Sequence, residues 1–149
     1  MKNKVKLQGF VRLQIKENGK IIDDTGFIKN GLTNAARANL TANPITDFDY
    51  LAVGTDDTAF AATQTALVSE VTTDGLARAQ ATASQETTNV TDDTYQLTKT
   101  FNAVGTVSVE EVGAFNADSG GTMLGRALTT TKTVINGQQL IVTYKFVFT

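Results

Sequence analysis

Residues 139–149, Gln-Leu-Ile-Val-Thr-Tyr-Lys-Phe-Val-Phe-Thr, decide the fold. Leu140, Val142, Tyr144, Phe146 and Phe148 fall on every second position, so an extended backbone here carries all five on one face. β-branched and aromatic side chains fit a pleated, half-buried surface. The expectation is a strand that alternates without a fault to the C-terminal residue.

Working back from this strand, Ile135-Asn136-Gly137-Gln138 reads as an Asn-Gly turn, Met123 to Leu128 as another strand, and Asp118-Ser119-Gly120-Gly121 as the turn before it. Val107 and Val109 alternate, slip by one at Glu110-Glu111 and resume at Val112 and Ala114 with Phe115 on the opposite face, the pattern of a β-bulge. Tyr95, Leu97, Lys99, Phe101 and Ala103 alternate down a strand that returns from the turn Asn89–Asp93. Its hairpin partner is a small-residue strand from Leu76 to Thr87, with Ala77, Ala79, Ala81 and Ala83 on one face. A face of alanines contributes little bulk, so a facing aromatic or a neighbouring subunit is expected to cover it.

Towards the N-terminus, Val5, Leu7, Val11, Leu13 and Ile15 share one parity, with Phe10 as the exception, and predict a strand buried on one side. Asn18-Gly19 supplies the positive φ angles of a two-residue type I′ turn, and a second strand should return from Lys20 to about Ile28. After Lys29-Asn30-Gly31 the period changes. Leu32, Ala35, Ala36 and Leu40 lie on one helical face, with Thr33 or Asn34 as N-cap and Asn43-Pro44 as the stop, predicting one short helix at 32–42. Tyr50–Gly54 reads as a short buried strand and Thr55 to about Thr65 as a surface loop. Ala66–Val71 fits one helical turn or an irregular strand equally.

About eight short strands joined mainly by hairpins, with one helix inserted early, predict a mainly β chain: an antiparallel sandwich of jelly-roll or immunoglobulin-like type. The length of 149 residues suits one domain, 1–149, with the lysine-rich N-terminal hairpin, residues 5–28, as a candidate attachment element.

Composition narrows function by subtraction. The chain has 41% hydrophobic and 19% charged residues with 12 glycines, but no cysteine, no histidine, no tryptophan and one proline, Pro44. Without cysteine there are no disulfides, thiolate zinc sites or thiol nucleophiles; without histidine the commonest general base and metal ligand is missing. The net charge of −2 covers an asymmetry: Lys2, Lys4, Lys6, Arg12, Lys16 and Lys20 crowd the start, while aspartates dominate the middle. This makes no broad basic field for nucleic acid. No signal-peptide core and no run of about twenty apolar residues is present, so a soluble product of the cytoplasm is expected.

The remaining motifs read as structure. Gly120-Gly121-Thr122-Met123-Leu124-Gly125-Arg126 lacks the lysine and helix of a phosphate loop and reads as a hairpin turn. Asn39-Leu40-Thr41 and Asn89-Val90-Thr91 match the glycosylation sequon, which means nothing without a secretory route. Asp23-Asp24, Asp56-Asp57 and Asp92-Asp93 sit at turns, where aspartate bonds nearby amides; none has the spacing of an EF-hand calcium loop. Arg78 and Arg126 are expected to pair with Glu110 or Glu111 across the sheet. Phe10, Phe27, Phe48, Phe60 and Phe115 fall outside the clean alternation, as interface aromatics or as plugs over the core.

Tyr50-Leu51-Ala52-Val53-Gly54-Thr55, Ala62-Thr63-Gln64-Thr65-Ala66-Leu67 before Glu70-Val71, the Arg78 strand, Val109-Glu110-Glu111-Val112-Gly113-Ala114-Phe115-Asn116, and Gly121-Thr122-Met123-Leu124-Gly125-Arg126 with its final strand together resemble small virion proteins of tailed phages and prophages. The resemblance spans roughly 31–149 and implies a β-sandwich of the tail-fibre, baseplate or head-decoration kind. Asp56-Asp57 stands where glycine is common in that pattern, and Ala114 where leucine is.

The resemblance carries no catalytic residue, cofactor or metal. It implies a non-enzymatic structural protein of the virion, made in the host cytoplasm, that contacts other virion subunits and forms a homo-oligomer, a trimer or ring, without nucleic acid or membrane. The expected interface residues are Lys4, Lys6, Phe10, Phe60, Ala77, Ala79, Ala81, Ala83 and Phe115. The alternative is a receptor- or glycan-binding adhesin module at a tail-fibre or head-fibre tip, reading its target with loops 55–65 and 116–122. An enzyme using paired carboxylates is the third reading, with no pair marked as facing across a cleft.

Overall fold

A computed structural model describes residues 5–149. The C-terminal alternation forms a strand and places it at the middle of a sheet. Numbered in chain order, the first sheet contains β1 (Leu7–Glu17), β2 (Lys20–Asp24), β3 (Ile28–Lys29), β7 (Thr82–Glu86), β8 (Thr94–Asn102) and β11 (Gln139–Phe148). Its order is β2-β1-β11-β8-β7, with β3 also paired on β1. The second sheet contains β4 (Gly31–Leu32), β5 (Tyr50–Gly54), β6 (Ala79–Gln80), β9 (Val107–Phe115) and β10 (Met123–Val134), in the order β4-β10-β9-β5-β6. All pairings are antiparallel. The described residues form an antiparallel β-sandwich with one short α-helix among them, α1 (Asn34–Asn39).

The core lies where the alternation aims it. Leu140, Val142, Tyr144 and Phe146 of β11 are fully buried, together with Val11 and Leu13 of β1 and Leu97 of β8. Val53, Val112 and Leu124 of the second sheet pack into the same cluster. Burying side chains of this size contributes about 1.5–3 kcal/mol each before conformational entropy is set against it. The β1–β2 turn has φ of 48° at Asn18 and 79° at Gly19, as a type I′ turn requires. The Thr33 hydroxyl accepts from the Ala36 N–H and caps α1, while donating to the Met123 carbonyl, which ties the cap to β10.

Several boundaries move for local reasons. Val5 is 79% exposed and precedes the first strand, which begins at Leu7. The expected strand from Lys20 to Ile28 breaks at residues 25–27, where the Thr25 hydroxyl accepts from the Leu13 N–H and donates to the Gly26 carbonyl. The helix is shorter than 32–42. β10 runs past Leu128 to Val134, and the register slip expected at Glu110-Glu111 occurs with its extra residues in β10: Leu128 opposes Glu111 and Lys132 opposes Val109. At the C-terminal end Val147 is buried and Phe148 is 40% exposed, so the alternation inverts in the last turn of the pleat.

The alanine strand is corrected most. It divides at Ala81, whose N–H donates to the Asp49 carbonyl at 2.7 Å. Residues before this point pair with β5 in the second sheet, and residues after it pair with β8 in the first. The chain thus crosses from one sheet to the other; this division, the break at residues 25–27 and the short β4 together raise the number of strands among the described residues from about eight to eleven.

One polar group sits between the sheets. The Asn30 amide enters the space beside Gly9 of β1 and Gly125 of β10, where a Cβ on either glycine would overlap it. Its Nδ2 donates to the Tyr144 hydroxyl. Burial pushes the Tyr144 phenol far above its ordinary value, and the Asn30 donor offsets only part of that rise.

Candidate interaction surfaces

The outer face of the second sheet is covered by the chain itself. Residues 55–71 pass over β5, β9 and β10, and Leu67 packs with Ala52, Phe115 and Met123 in a small cluster separate from the main core. A Cβ at Gly113 would come within 2.9 Å of Leu67 Cδ2, so a bare backbone is needed for the covering segment to lie this close.

An ion pair fixes that segment. Arg126 of β10 and Glu111 of β9 are both fully buried, with Arg126 Nε 2.5 Å from Glu111 Oε2. Arg126 Nη1 donates to the Thr58 carbonyl at 2.8 Å. The Glu111 carboxylate accepts from the N–H groups of Val68 at 3.2 Å and Ser69 at 2.7 Å. Hydrogen bonds from Thr58, with Arg126 nearby, lower the pKa of Asp56. Every charged atom of the pair therefore has a partner, the condition under which a buried ion pair is tolerated.

Arg78 holds the neighbouring loop in the same way. It pairs with Glu70 at 2.7 Å rather than with Glu110 or Glu111, and its Nη1 donates to the carbonyls of Ala117 and Gly120. Its guanidinium lies 3.6 Å from the centre of the Phe115 ring. Loops 55–65 and 116–122 are thus each positioned by an arginine that reaches across from a strand or its approach.

The outer face of the first sheet is open. Phe10 stands there beside Lys145 and Lys29, its register partners on β11 and β3. Phe27 is 45% exposed, with the Lys145 ammonium 4.5 Å and the Arg12 guanidinium 5.6 Å from its ring centre. Arg12 also pairs with Asp24, and this holds the Asp24 carboxyl well below the usual range. At the far flank a cleft runs along β7 between the strand and the turn Ile45–Asp47, lined by Ile45, Ala83, Tyr95 and Phe148.

The expected interface residues do not form one surface. Lys4 lies outside the described residues. Lys6 is exposed and its backbone exchanges two hydrogen bonds with Thr149. Phe10 is half-buried on the open face, and Phe60 is half-buried against Gly31. Ala77 and Ala83 are exposed, whereas Ala79 and Ala81 pack on the core, so the proposed alanine face does not exist as a face. Phe115 is 1% exposed beneath Arg78 and is removed from any interface. Phe48 is fully buried. Sequence reasoning missed the exposed Ile21 and Ile22 of β2, because an edge strand with both parities apolar reads like any other strand.

Among the described residues, no three acidic, histidine or cysteine side chains stand together as a metal-holding group, and no helix is long and apolar enough to cross a membrane. The sequence matches no protein-family model and no curated protein.

Proposed function

We propose that the chain is a non-enzymatic structural subunit of a tailed-phage particle that self-assembles, or attaches to the particle, through its β-sheet surfaces. The observation that carries this reading is the contrast between the two outer sheet faces. The second sheet is closed by its own covering segment, while the first keeps Phe10 and Phe27 among cations on an open face. Aromatic side chains flanked by charge are the residues that contact surfaces favour. The resemblance of residues 31–149 to phage virion proteins supplies the particle.

Mass spectrometry of purified virions, together with sizing of the protein in solution, tests the reading. The expected result is a virion component that is larger than a monomer in solution. A strict monomer absent from particles overturns it.

A second reading, an adhesin tip, draws on loops 55–65 and 116–122 being held in place before any ligand arrives, which lowers the ordering cost of binding. A glycan array probed with loop variants separates the two: loss of a specific glycan signal favours the adhesin.

A further inference from the structure

Charge in this sequence is distributed by segment, and the topology turns that distribution into two flanks. Residues 5–37 and 123–149 carry nine lysines and arginines against three acids, while residues 38–122 carry two against twelve. The first group builds β2, β1 and β11 in one sheet and β4 and β10 in the other. The second builds β8 and β7, and β9, β5 and β6. Since β2 and β4 end their sheets on one side and β7 and β6 end them on the other, one long side of the sandwich is basic and the opposite side acidic.

Internal pairing sharpens the contrast. The acids on the basic side are occupied: Asp23 pairs with Lys132, Asp24 with Arg12, and Glu17 accepts from Gln138. Among the described residues, exposed Lys20, Lys29 and Arg37 have no acid within 4 Å. On the other side Arg78 is spent on Glu70 and Glu111 is taken by Arg126 of the basic segments, while among the described residues Asp47, Glu86 and Asp92 have no cation within 4 Å.

Shape agrees with charge. The basic flank ends in β2, an open edge strand that exposes Ile21 by 45% and Ile22 by 53% beside Lys20. The acidic flank ends in β7, a second open edge, with the apolar cleft of Ile45, Ala83, Tyr95 and Phe148 alongside and Asp92 at its rim. Apolar side chains within a charged rim on one flank, and an apolar recess within an oppositely charged rim on the other, fit each other. Four antiparallel steps separate β2 from β7, so the two strands run in the same direction. Across the sheet β7 lies level with Gln8–Arg12 of β1 and β2 with Gln14–Glu17, so a copy related by rotation brings β7 beside β2 with an offset along the strands.

We propose that the partner of each flank is the opposite flank of a second copy of this chain. The contact is head-to-tail, with Ile21 and Ile22 of one copy entering the β7 cleft of the next and Lys20 and Lys29 facing Asp47 and Glu86. A head-to-tail contact leaves one flank of each end copy free, so it repeats until it closes into a ring or runs on as an open filament. This inference rests on the reading of the chain as a self-assembling subunit and specifies its mode of assembly.

The test uses two variants of the full chain: Lys20→Glu with Lys29→Glu, which makes both flanks acidic, and Asp47→Lys with Glu86→Lys, which makes both basic. Native mass spectrometry and analytical ultracentrifugation read the assembly, and circular dichroism checks the fold. The wild-type chain should assemble at low salt, weakening about tenfold between about 50 and 300 mM salt as screening shortens the reach of charge. Each variant alone should stay monomeric, and an equimolar mixture should reassemble. Either variant assembling alone like wild type, or a mixture that stays monomeric, overturns the head-to-tail mode. A salt-insensitive oligomer shared by all three proteins overturns it while leaving self-assembly intact. A wild-type monomer at low salt overturns it too, and the virion measurement then decides separately whether the protein is a particle component.

Discussion

Arg126 and Glu111, on neighbouring strands of the second sheet, meet with Nε 2.5 Å from Oε2 and expose no side-chain surface. Removing one charge leaves the other desolvated and unpaired. Arg126→Met should lower the unfolding free energy by about 3–5 kcal/mol, whereas Arg126→Met combined with Glu111→Gln should lose clearly less. Urea denaturation measures both. A single variant within about 1 kcal/mol of wild type would show that the pair does not hold the covering segment.

Gly125 and Gly9 leave the room that Asn30 occupies beside Tyr144. Gly125→Ala forces the amide or the strand to move and should cost about 1–3 kcal/mol. Asn30→Ala should cost a similar amount by leaving the buried Tyr144 hydroxyl without its donor. If the two effects share a cause, the double variant loses less than the two single losses together, which chemical denaturation reads directly.

Two phenols give the protein an alkaline limit. Burial raises the Tyr144 pKa far above the ordinary value of 10.0, and burial with Asp49 and Asp47 nearby pushes Tyr95 up to about 12. A group raised on folding contributes stability that is full below its unfolded pKa and is lost as pH rises through the folded one. Thermal stability should therefore fall steadily above about pH 10. Tyr95→Phe should remove the part of that loss that falls between pH 10 and about 12. An unchanged alkaline slope in this variant contradicts the assignment.

The Asp93 carboxyl behaves oppositely. Burial pushes it up, but the N–H groups of Val90, Thr88 and Asn89 and the Thr94 hydroxyl outweigh burial and hold it well below the usual range. Its contribution is present above the unfolded carboxylate pKa of 3.8 and is lost as pH falls below that value. Asp93→Asn should flatten the acid limb of the stability profile and loosen the β7–β8 turn, seen as faster amide exchange at Thr88–Val90.

Much of the fold was legible because hairpins and single-face strands are written in local periods. The Asn18-Gly19 turn, the Tyr50–Gly54 strand and the Thr33 cap are all of this kind. The crossing at Ala81 was not, since the alternation from Ala77 to Ala83 continues unbroken while the chain changes sheets. Period two records that a backbone is extended and is silent about which neighbour it pairs with. The covering of the second sheet did leave a trace: Glu111–Phe115 and Met123–Ala127 are buried at both parities, and only a sheet covered on both faces needs that. Of the expected surfaces, the basic N-terminal hairpin lies on a flank that keeps free cations. The alanine face dissolved, and Phe115 proved to be the platform for Arg78.

The central position of β11 has a kinetic meaning as well. β11 stands between β1 and β8, with Leu7 opposite Phe148 and Leu140 opposite Phe101. Until residues 139–148 have left the ribosome, β1 and β8 have no shared neighbour and the inner row of Leu13 and Leu97 has nothing to close upon. Folding of the first sheet is therefore a late event that joins distant parts of the chain, a topology associated with slow closure and long exposure of unpaired edges.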